Sequence, residues 1–303
     1  MASLLVAAVL VSLLGIRRAR AAHGPGAVSL RRTGLLLGGL ATVAVALESP
    51  VDTLAATRFS AHMVQHLLLT LVAAPLLVLA RPVTLALQAS SVATRRRLLL
   101  PALRSRPVAA LTSPPVAWCG FALVLWASHF SPLYEAALTN PGLHALEHLA
   151  YLGSAVLFWS AVAAVDPAPS RLSPPARMLF LFLAMPQMTF LGLAIYGARH
   201  ALYPAYGMGP AALADQRLAG ALMGGGGVVV FLPAVAVLLL DWWDREDRAA
   251  GRADARLDRD LPRDLHLERR SGMPDAHAEG LPTFQQIAMR RRYPTGAPGG
   301  DPS

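Results

Sequence analysis

Residues 59–80 read FSAHMVQHLLLTLVAAPLLVLA, a run without charge in which Ser60, His62, Gln65, His66 and Thr70 are the polar positions. A helix needs roughly 20 mainly apolar residues to cross ~30 Å of hydrocarbon, so this stretch is long enough to span a bilayer once. His62 and His66 would then lie in its first two turns, close to one membrane surface. Six further stretches have the same character: about Ala2–Ile16, Thr33–Leu47, Pro107–Phe130, Gly142–Val165, Pro175–Tyr196 and Asp215–Leu240. The expected fold is therefore all-α, a polytopic transmembrane helical bundle of about seven spans within residues 1–240. Composition agrees. The chain has 303 residues, 54% of them hydrophobic, against about 45–50% for soluble domains, and the excess is gathered into long runs.

The formal charge of +9 raises the possibility of a nucleic-acid partner. The distribution of charge excludes it. Every basic residue is Arg, and the arginines cluster in short segments between apolar runs and in the C-terminal tail, as in cytoplasmic loops. Arg17, Arg18, Arg20, Arg31 and Arg32 follow the first run; Arg81, Arg95, Arg96, Arg97, Arg104 and Arg106 follow the third; Arg171 and Arg177 follow the fifth. The alternate loops carry Arg58, none, and Arg199. This alternation predicts an N-terminus outside and a C-terminus inside. The first run is short and no positive charge precedes it, the reverse of a signal peptide. It reads as a first helix, from a start codon placed too late. Residues 82–106 hold an arginine cluster with Leu85, Leu87, Leu98, Leu99 and Leu100, a pattern suited to a short interfacial helix. Residues 241–303 mix Arg, Asp, Glu, Pro and Gly and read as a disordered cytoplasmic tail.

Ionisable residues inside spans are costly and point to function. Here they are histidines. His62 and His66 begin the third span, His129 ends the fourth, His144 and His148 begin the fifth, and His200 follows the sixth, so all six fall on the outer side. His62/His66 and His144/His148 are i, i+4 pairs, which share a helix face with Cβ atoms ~5–6 Å apart. Two facing pairs would make a four-imidazole metal site of the kind helix bundles build. Imidazole suits copper, zinc, iron and nickel, and Met63, Met185, Met188 and Met208 offer soft thioethers that would favour Cu(I). Each histidine could instead be an interhelical hydrogen-bonder, and each methionine a packing residue.

Two stretches approach protease patterns. His62-Met-Val-Gln-His66 has zincin spacing without the catalytic Glu. His144-Ala-Leu-Glu147-His148 matches the inverted motif, but Glu147 also fits a metal ligand or an acceptor that orients an imidazole. Asp215 fits the N-cap of the seventh span, with an outer metal-ligand role as the alternative. Gly224 to Gly227 would permit close helix approach, Pro75 and Pro186 would kink their spans, and Cys119 reads as a small buried residue. The single cysteine leaves no intrachain disulfide.

Several blocks, in order, resemble the cytochrome c oxidase assembly factor family known as CtaG. They are Phe59-Ser-Ala-His-Met-Val-Gln-His66 with Ala74-Pro-Leu-Leu-Val-Leu-Ala-Arg-Pro82; His144-Ala-Leu-Glu-His148 with Leu157-Phe-Trp159; Pro186-Gln-Met-Thr-Phe-Leu-Gly-Leu-Ala-Ile-Tyr196 with Leu202-Tyr-Pro204; and Leu213-Ala-Asp-Gln-Arg-Leu-Ala-Gly220. The resemblance covers about Thr33 to Leu240. It implies a multi-pass plasma (inner) membrane protein, not an enzyme, that helps mature a haem–copper oxidase by delivering copper to it. The implied partners are an oxidase subunit, the lipid bilayer and copper-import proteins. The family's histidines match at His62, His66, His144 and His148, and His129, Met63, Glu147 and Asp215 are supporting candidates for the metal. A departure follows Met223, where Gly224 stands in place of an expected aromatic residue. A copper transporter or resistance protein, a haem-binding electron carrier and a membrane peptidase are the alternatives. The first is weakened by the scarcity of polar residues in the inner half of the spans, where Thr70, Thr112 and Ser113 are the main ones.

Overall fold

The computed structural model describes residues 2–260, whose regular elements are all helices, with no strand among them. They fall into two units, divided after Trp242, and the first carries the fold discussed below. Its helices are α1 (Ala2–His23), α2 (Leu30–Glu48), α3 (Pro50–Ala55), α4 (residues 59–79), α5 (Pro82–Ala89), α6 (residues 92–103), α7 (Arg106–Leu111), α8 (Pro114–His129), α9 (Pro132–Thr139), α10 (Pro141–Ala163), α11 (Pro174–Gly197) and α12, which starts at Pro210. Six helices are long and apolar enough to cross a membrane, or seven if α8 and α9, bent by 71°, form one broken span. A polytopic helical bundle is thus what the chain forms.

Helix starts follow local chemistry. Ser29, Ser49, Ser91, Ser105, Ser131 and Asn140 accept from backbone N–H groups at their helices' first turns, and proline stands at the start of α3, α5, α8, α9, α10, α11 and α12, where its missing N–H costs nothing. Helix α4 changes register midway: Phe59–Leu67 is α-helical, Leu68–Ala73 is a π-helix, and Ala74–Leu79 is α-helical again. Pro75 is the reason. In the widened turn the Ala74 N–H reaches the Leu69 carbonyl, and the next donor in that register would be Pro75, which has none. The Thr70 carbonyl is satisfied instead by the Trp159 indole N–H of α10, 2.8 Å away. Arg95–Leu99 of α6 repeats the device ahead of Pro101.

Lipid tails are as apolar as the helices, so association rests on close packing and interhelical hydrogen bonds. The largest core cluster joins Phe59 and Met63 of α4, Phe121 and Leu125 of α8, Tyr151, Phe158 and Trp159 of α10, Leu181 and Met188 of α11, and Met223 and Phe231 of α12. Helices α11 and α12 approach so closely that a Cβ on Gly192 would stand 2.5 Å from the Gly220 carbonyl and the Gly224 nitrogen. Gly226 and Gly227 continue that face against Leu67 and Met188. The glycine run after Met223 is therefore a packing surface, and a Cβ at Gly224 would already be in van der Waals contact with Thr189 and Gly192 of α11.

Five expectations change. The fourth span does not begin at Pro107: α7 is a separate short helix, α8 begins at Pro114, and the chain bends after His129 into α9. The Thr112-Ser113-Pro114 sequence ends one helix and starts the next. Asp215 is not an N-cap of its own span, since α12 starts at Pro210. Its carboxylate accepts from the Ser60 backbone N–H at 3.2 Å and from the Ser60 hydroxyl, so it caps α4 across the bundle. Cys119 is exposed on the outer surface of α8. Residues 82–106 are helical in pieces, but Leu85 is buried against Gly15 of α1. At the other end of the chain α12 continues to Asp260, past Leu240, on a run rich in Asp, Glu, Arg and Ala. The tail beyond residue 260 lies outside the described residues.

The two ends of the bundle differ chemically. Helix α4 carries His62 in its first turns and Arg81 just past its last; α10 carries His144 in its first turns, and the Val162 carbonyl in its last accepts from Arg177. Arg32 reaches the Ala80 carbonyl at 3.1 Å, and Asp166 accepts from the Val83 and Thr84 N–H groups at 3.1 and 2.9 Å. The histidines and most of the loop arginines thus occupy opposite ends of the same helices.

Candidate metal centre

Asn140 opens α10 by accepting from the Gly142 and Leu143 N–H groups at 2.9 and 3.2 Å, with Pro141 at the first helical position. That start places His144, Glu147 and His148 on the first two turns, facing α4. Capping by Asp215 starts α4 at Phe59 and sets His62 and His66 on the turns opposite. The four imidazoles meet. Ring centroids of His62 lie 4.4 Å from His66, 5.2 Å from His144 and 5.9 Å from His148, and His144 and His148 are 4.3 Å apart. His62 and His66 approach through their Nε2 atoms, 2.9 Å from each other. One ligand atom from each of His62, His66 and His148 fits within a 4.8 Å set, and so does one from each of His62, His144 and Glu147.

His62, His66 and His148 are buried, while His144 is half-buried. The Glu147 side chain is only 8% exposed, and its carboxylate oxygens lie 3.9 Å from the Nε2 atoms of His62 and His66. Among the described residues neither Glu147 oxygen has a hydrogen-bond partner; His66 Nδ1, His144 Nε2 and His148 Nε2 have none either. Unpaired buried polar atoms are uncommon and call for an explanation such as a bound ion or water. Here five of them belong to His66, His144, Glu147 and His148, residues of one cluster with nitrogen and oxygen donors. The donor set fits a first-row transition metal: imidazole takes copper, zinc, iron or nickel, and a carboxylate adds a harder ligand.

The remaining candidates divide. His129 is buried beside the cluster, its ring 6.0 Å from that of His66. Its Nδ1 lies 2.7 Å from the Leu125 carbonyl and its Nε2 3.3 Å from Met63 Sδ, so the His129–Met63 pair forms its own contact at the cluster's edge. Asp215 is engaged with Ser60 and lies outside both ligand sets. Met188 packs on Gly227, Met208 is exposed, and the His200 carbonyl accepts from Gln216; His200 belongs to neither ligand set.

Four tyrosines complete the surroundings. Tyr151 stacks on His66 at 3.7 Å, and its hydroxyl lies 3.2 Å from His129 Nδ1. The bend between α8 and α9 swings Tyr134 over His62 at 5.2 Å. Tyr203 donates to the His129 carbonyl at 2.8 Å. The Tyr206 hydroxyl sits 2.9 Å from His62 Nδ1 and 3.3 Å from the Tyr134 hydroxyl. Burial pushes the Tyr206 phenol well above its ordinary range, so it stays protonated. When His62 donates its Nδ1–H to this oxygen, Nε2 keeps its lone pair free for a metal; such partners fix a ligand's tautomer. Tyr151 was legible in the sequence, three residues after His148 on the same helix face. Tyr203 and Tyr206 come from a loop after α11 and carry no local signal.

A family profile described as cytochrome c oxidase caa3 assembly factor matches residues 11–245. The chain belongs to the Caa3 assembly factor family, CtaG. Membership agrees with the resemblance carried by the histidine blocks. The most similar curated relatives include uncharacterised proteins of Mycobacterium bovis (strain ATCC BAA-935 / AF2122/97) and Mycobacterium tuberculosis (strain CDC 1551 / Oshkosh), each 29% identical over 269 residues, or 80% of this chain. An uncharacterised protein of Mycobacterium leprae (strain TN) is 29% identical over 73% of this chain. The chain spans about 40% of the length of the first two relatives and 36% of the third. No solved structure matches it.

Proposed function

We propose that this protein is a non-enzymatic assembly factor of the plasma membrane that holds copper as cargo and passes it to a subunit of a haem–copper oxidase. The observation that carries the copper reading is the convergence of His62, His66 and His148, with His144 and Glu147 adjoining, into two overlapping ligand sets, four of whose residues carry a buried polar atom with no hydrogen-bond partner among the described residues. Family membership supplies the oxidase. The thioether of Met63 beside His129 adds a soft donor at the cluster's edge, which favours Cu(I). The arginine-rich loops lie at the end of the bundle opposite the histidines, and by the positive-inside preference that end faces the cytoplasm. The cluster then opens to the extracytoplasmic side, with the N-terminus outside and the C-terminus inside. There it can meet an oxidase subunit and receive copper from import proteins.

Metal analysis of the purified protein tests this reading. Wild type is expected to retain copper after desalting, and His66→Ala combined with His148→Ala to lose it. Equal copper in the double variant would refute the site. A Soret band in the visible spectrum of the wild type would replace copper with haem.

A further inference from the structure

The histidine cluster is not one symmetric cage. Two ligand sets overlap at His62: a deep one with His66 and His148, all buried, and a shallower one with His144 and Glu147, both less buried. Glu147 joins them in space. Its two oxygens lie 3.9 Å from the Nε2 atoms of His62 and His66, close enough that a small shift would bring either oxygen into a shared coordination sphere. A second observation concerns the other side of this carboxylate. A cavity of about 240 Å³ opens between α8, α9 and α10, walled by Leu123, Val124, Leu133 and Leu146, with Glu147 and Tyr151 also lining it. Glu147 is the carboxylate on that wall, it is more than nine-tenths buried, and both its oxygens lack a hydrogen-bond partner among the described residues. A buried carboxyl without a hydrogen-bond partner is expensive to keep ionised, so it either holds a proton or gives that proton up to a visiting cation.

We infer that the cluster is a two-position relay in which copper held by His62, His66 and His148 moves to His62, His144 and Glu147 before it leaves. The inference rests on the copper-binding reading above. In the step the bonds to His66 and His148 break, bonds to His144 and Glu147 form, and His62 stays bound throughout. The ion keeps its oxidation state, so no electron donor or acceptor is required. The chemistry sets the direction. Three imidazoles hold Cu(I) firmly; exchanging one for a hard carboxylate weakens the hold on a soft ion and readies it for an acceptor. His66 and His148 are then retention residues, and His144 and Glu147 are release residues.

The full chain, in detergent micelles and loaded anaerobically with Cu(I), discriminates the two roles. Two quantities are read: copper per protein after desalting, and the rate of transfer to a coloured Cu(I) chelator. E147Q and H144Q are expected to transfer the copper they hold more slowly by roughly tenfold or more. H148Q is expected to lose copper on desalting, and E147D to restore much of the transfer rate lost in E147Q. Wild-type transfer by E147Q would overturn the relay, and so would loss of copper from E147Q as complete as from H148Q, since Glu147 would then be an ordinary ligand of a single site. A wild type that retains no copper would instead remove the copper reading itself. H144Q, half-buried at the start of α10, guards against a folding artefact at Glu147: slow transfer in only one of the two variants counts against the relay.

Discussion

Replacing Gly192 by alanine tests the packing on which the α11–α12 arrangement depends. The added Cβ would stand 2.5 Å from the Gly220 oxygen and the Gly224 nitrogen, and 2.7 Å from Gly224 Cα. All three atoms are backbone, so no rotamer change relieves them. Ordinary contact begins near 3.4 Å, so the two helices must part by about 0.9 Å. A gap of ~0.5–1 Å forfeits a quarter to a half of each dispersion well. For a seam of about forty heavy-atom pairs at ~0.15 kcal/mol each, the loss is roughly 1.5–3 kcal/mol, within the ~1–3 kcal/mol typical of overpacking. Gly225 provides the opposite sign, because a Cβ there meets nothing within 4 Å. Alanine at Gly225 should leave stability unchanged or raise it by up to about 1 kcal/mol through helix propensity. Thermal unfolding in mild detergent, followed by tryptophan fluorescence, should show Gly192→Ala melting roughly 4–8 °C below wild type and Gly225→Ala at or above it. Copper per folded protein should be unchanged in both, since this seam lies apart from the histidines. Equal melting of the two variants would refute the backbone-contact account.

Trp159→Phe removes the indole donor from the Thr70 carbonyl in the π-helical turn, and an unpaired buried carbonyl should cost about 1–3 kcal/mol in the same melting assay. Asp215→Ala uncaps α4 across the bundle, with an expected loss of ~1 kcal/mol and copper affinity weakened several-fold but retained; loss as complete as in H148Q would make Asp215 a ligand after all. Tyr206→Phe takes the partner from His62 Nδ1, and chelator competition should show copper affinity reduced roughly tenfold with stoichiometry intact. Copper retention should also depend on pH. The free site can bind protons that the loaded site cannot, so affinity falls as pH drops through the range in which its imidazoles take up protons. Titration at fixed copper from pH 8 down to the acid limit of the fold checks the sign, and tighter binding at low pH than at high pH would exclude imidazole ligation.

The spans were legible because crossing hydrocarbon demands long apolar runs, and such runs are written continuously along the chain. The pairing within His62/His66 and His144/His148 was legible because 3.6-residue periodicity is local. What was not legible depends on contacts between distant segments. Asp215 looked like a cap, and it is one, but its helix is 155 residues away in sequence. Gly224 looked like a departure from the family pattern because its partner, Gly192, lies on another helix. The bend of 71° after His129 had a weak signal in Phe130-Ser131-Pro132, which the apolar character of the surrounding run obscured.

That bend bears on how cargo could travel. It carries Tyr134 over the histidines, where Tyr203 and Tyr206 join it, with Tyr134 and Tyr203 buried and in ring contact with each other and with Phe59. These aromatic rings cover His62 from the side of the loop after α11, which is the side a straight α8 would leave uncovered. The wall between α8 and α10, by contrast, holds a cavity beside Glu147. On the relay proposed above, a metal released at Glu147 has this cavity beside it. A membrane-embedded acceptor seated against α8 and α10 would then take the cargo within the bilayer. Filling the cavity with Ala127→Leu, on its wall but outside both ligand sets, should slow copper transfer to an oxidase subunit co-reconstituted in liposomes. The same variant should hand copper to a small water-soluble chelator at the wild-type rate if that chelator draws the metal past His144. Equal slowing toward both acceptors would mean one shared exit, and unchanged transfer to the oxidase subunit would rule out the lateral route.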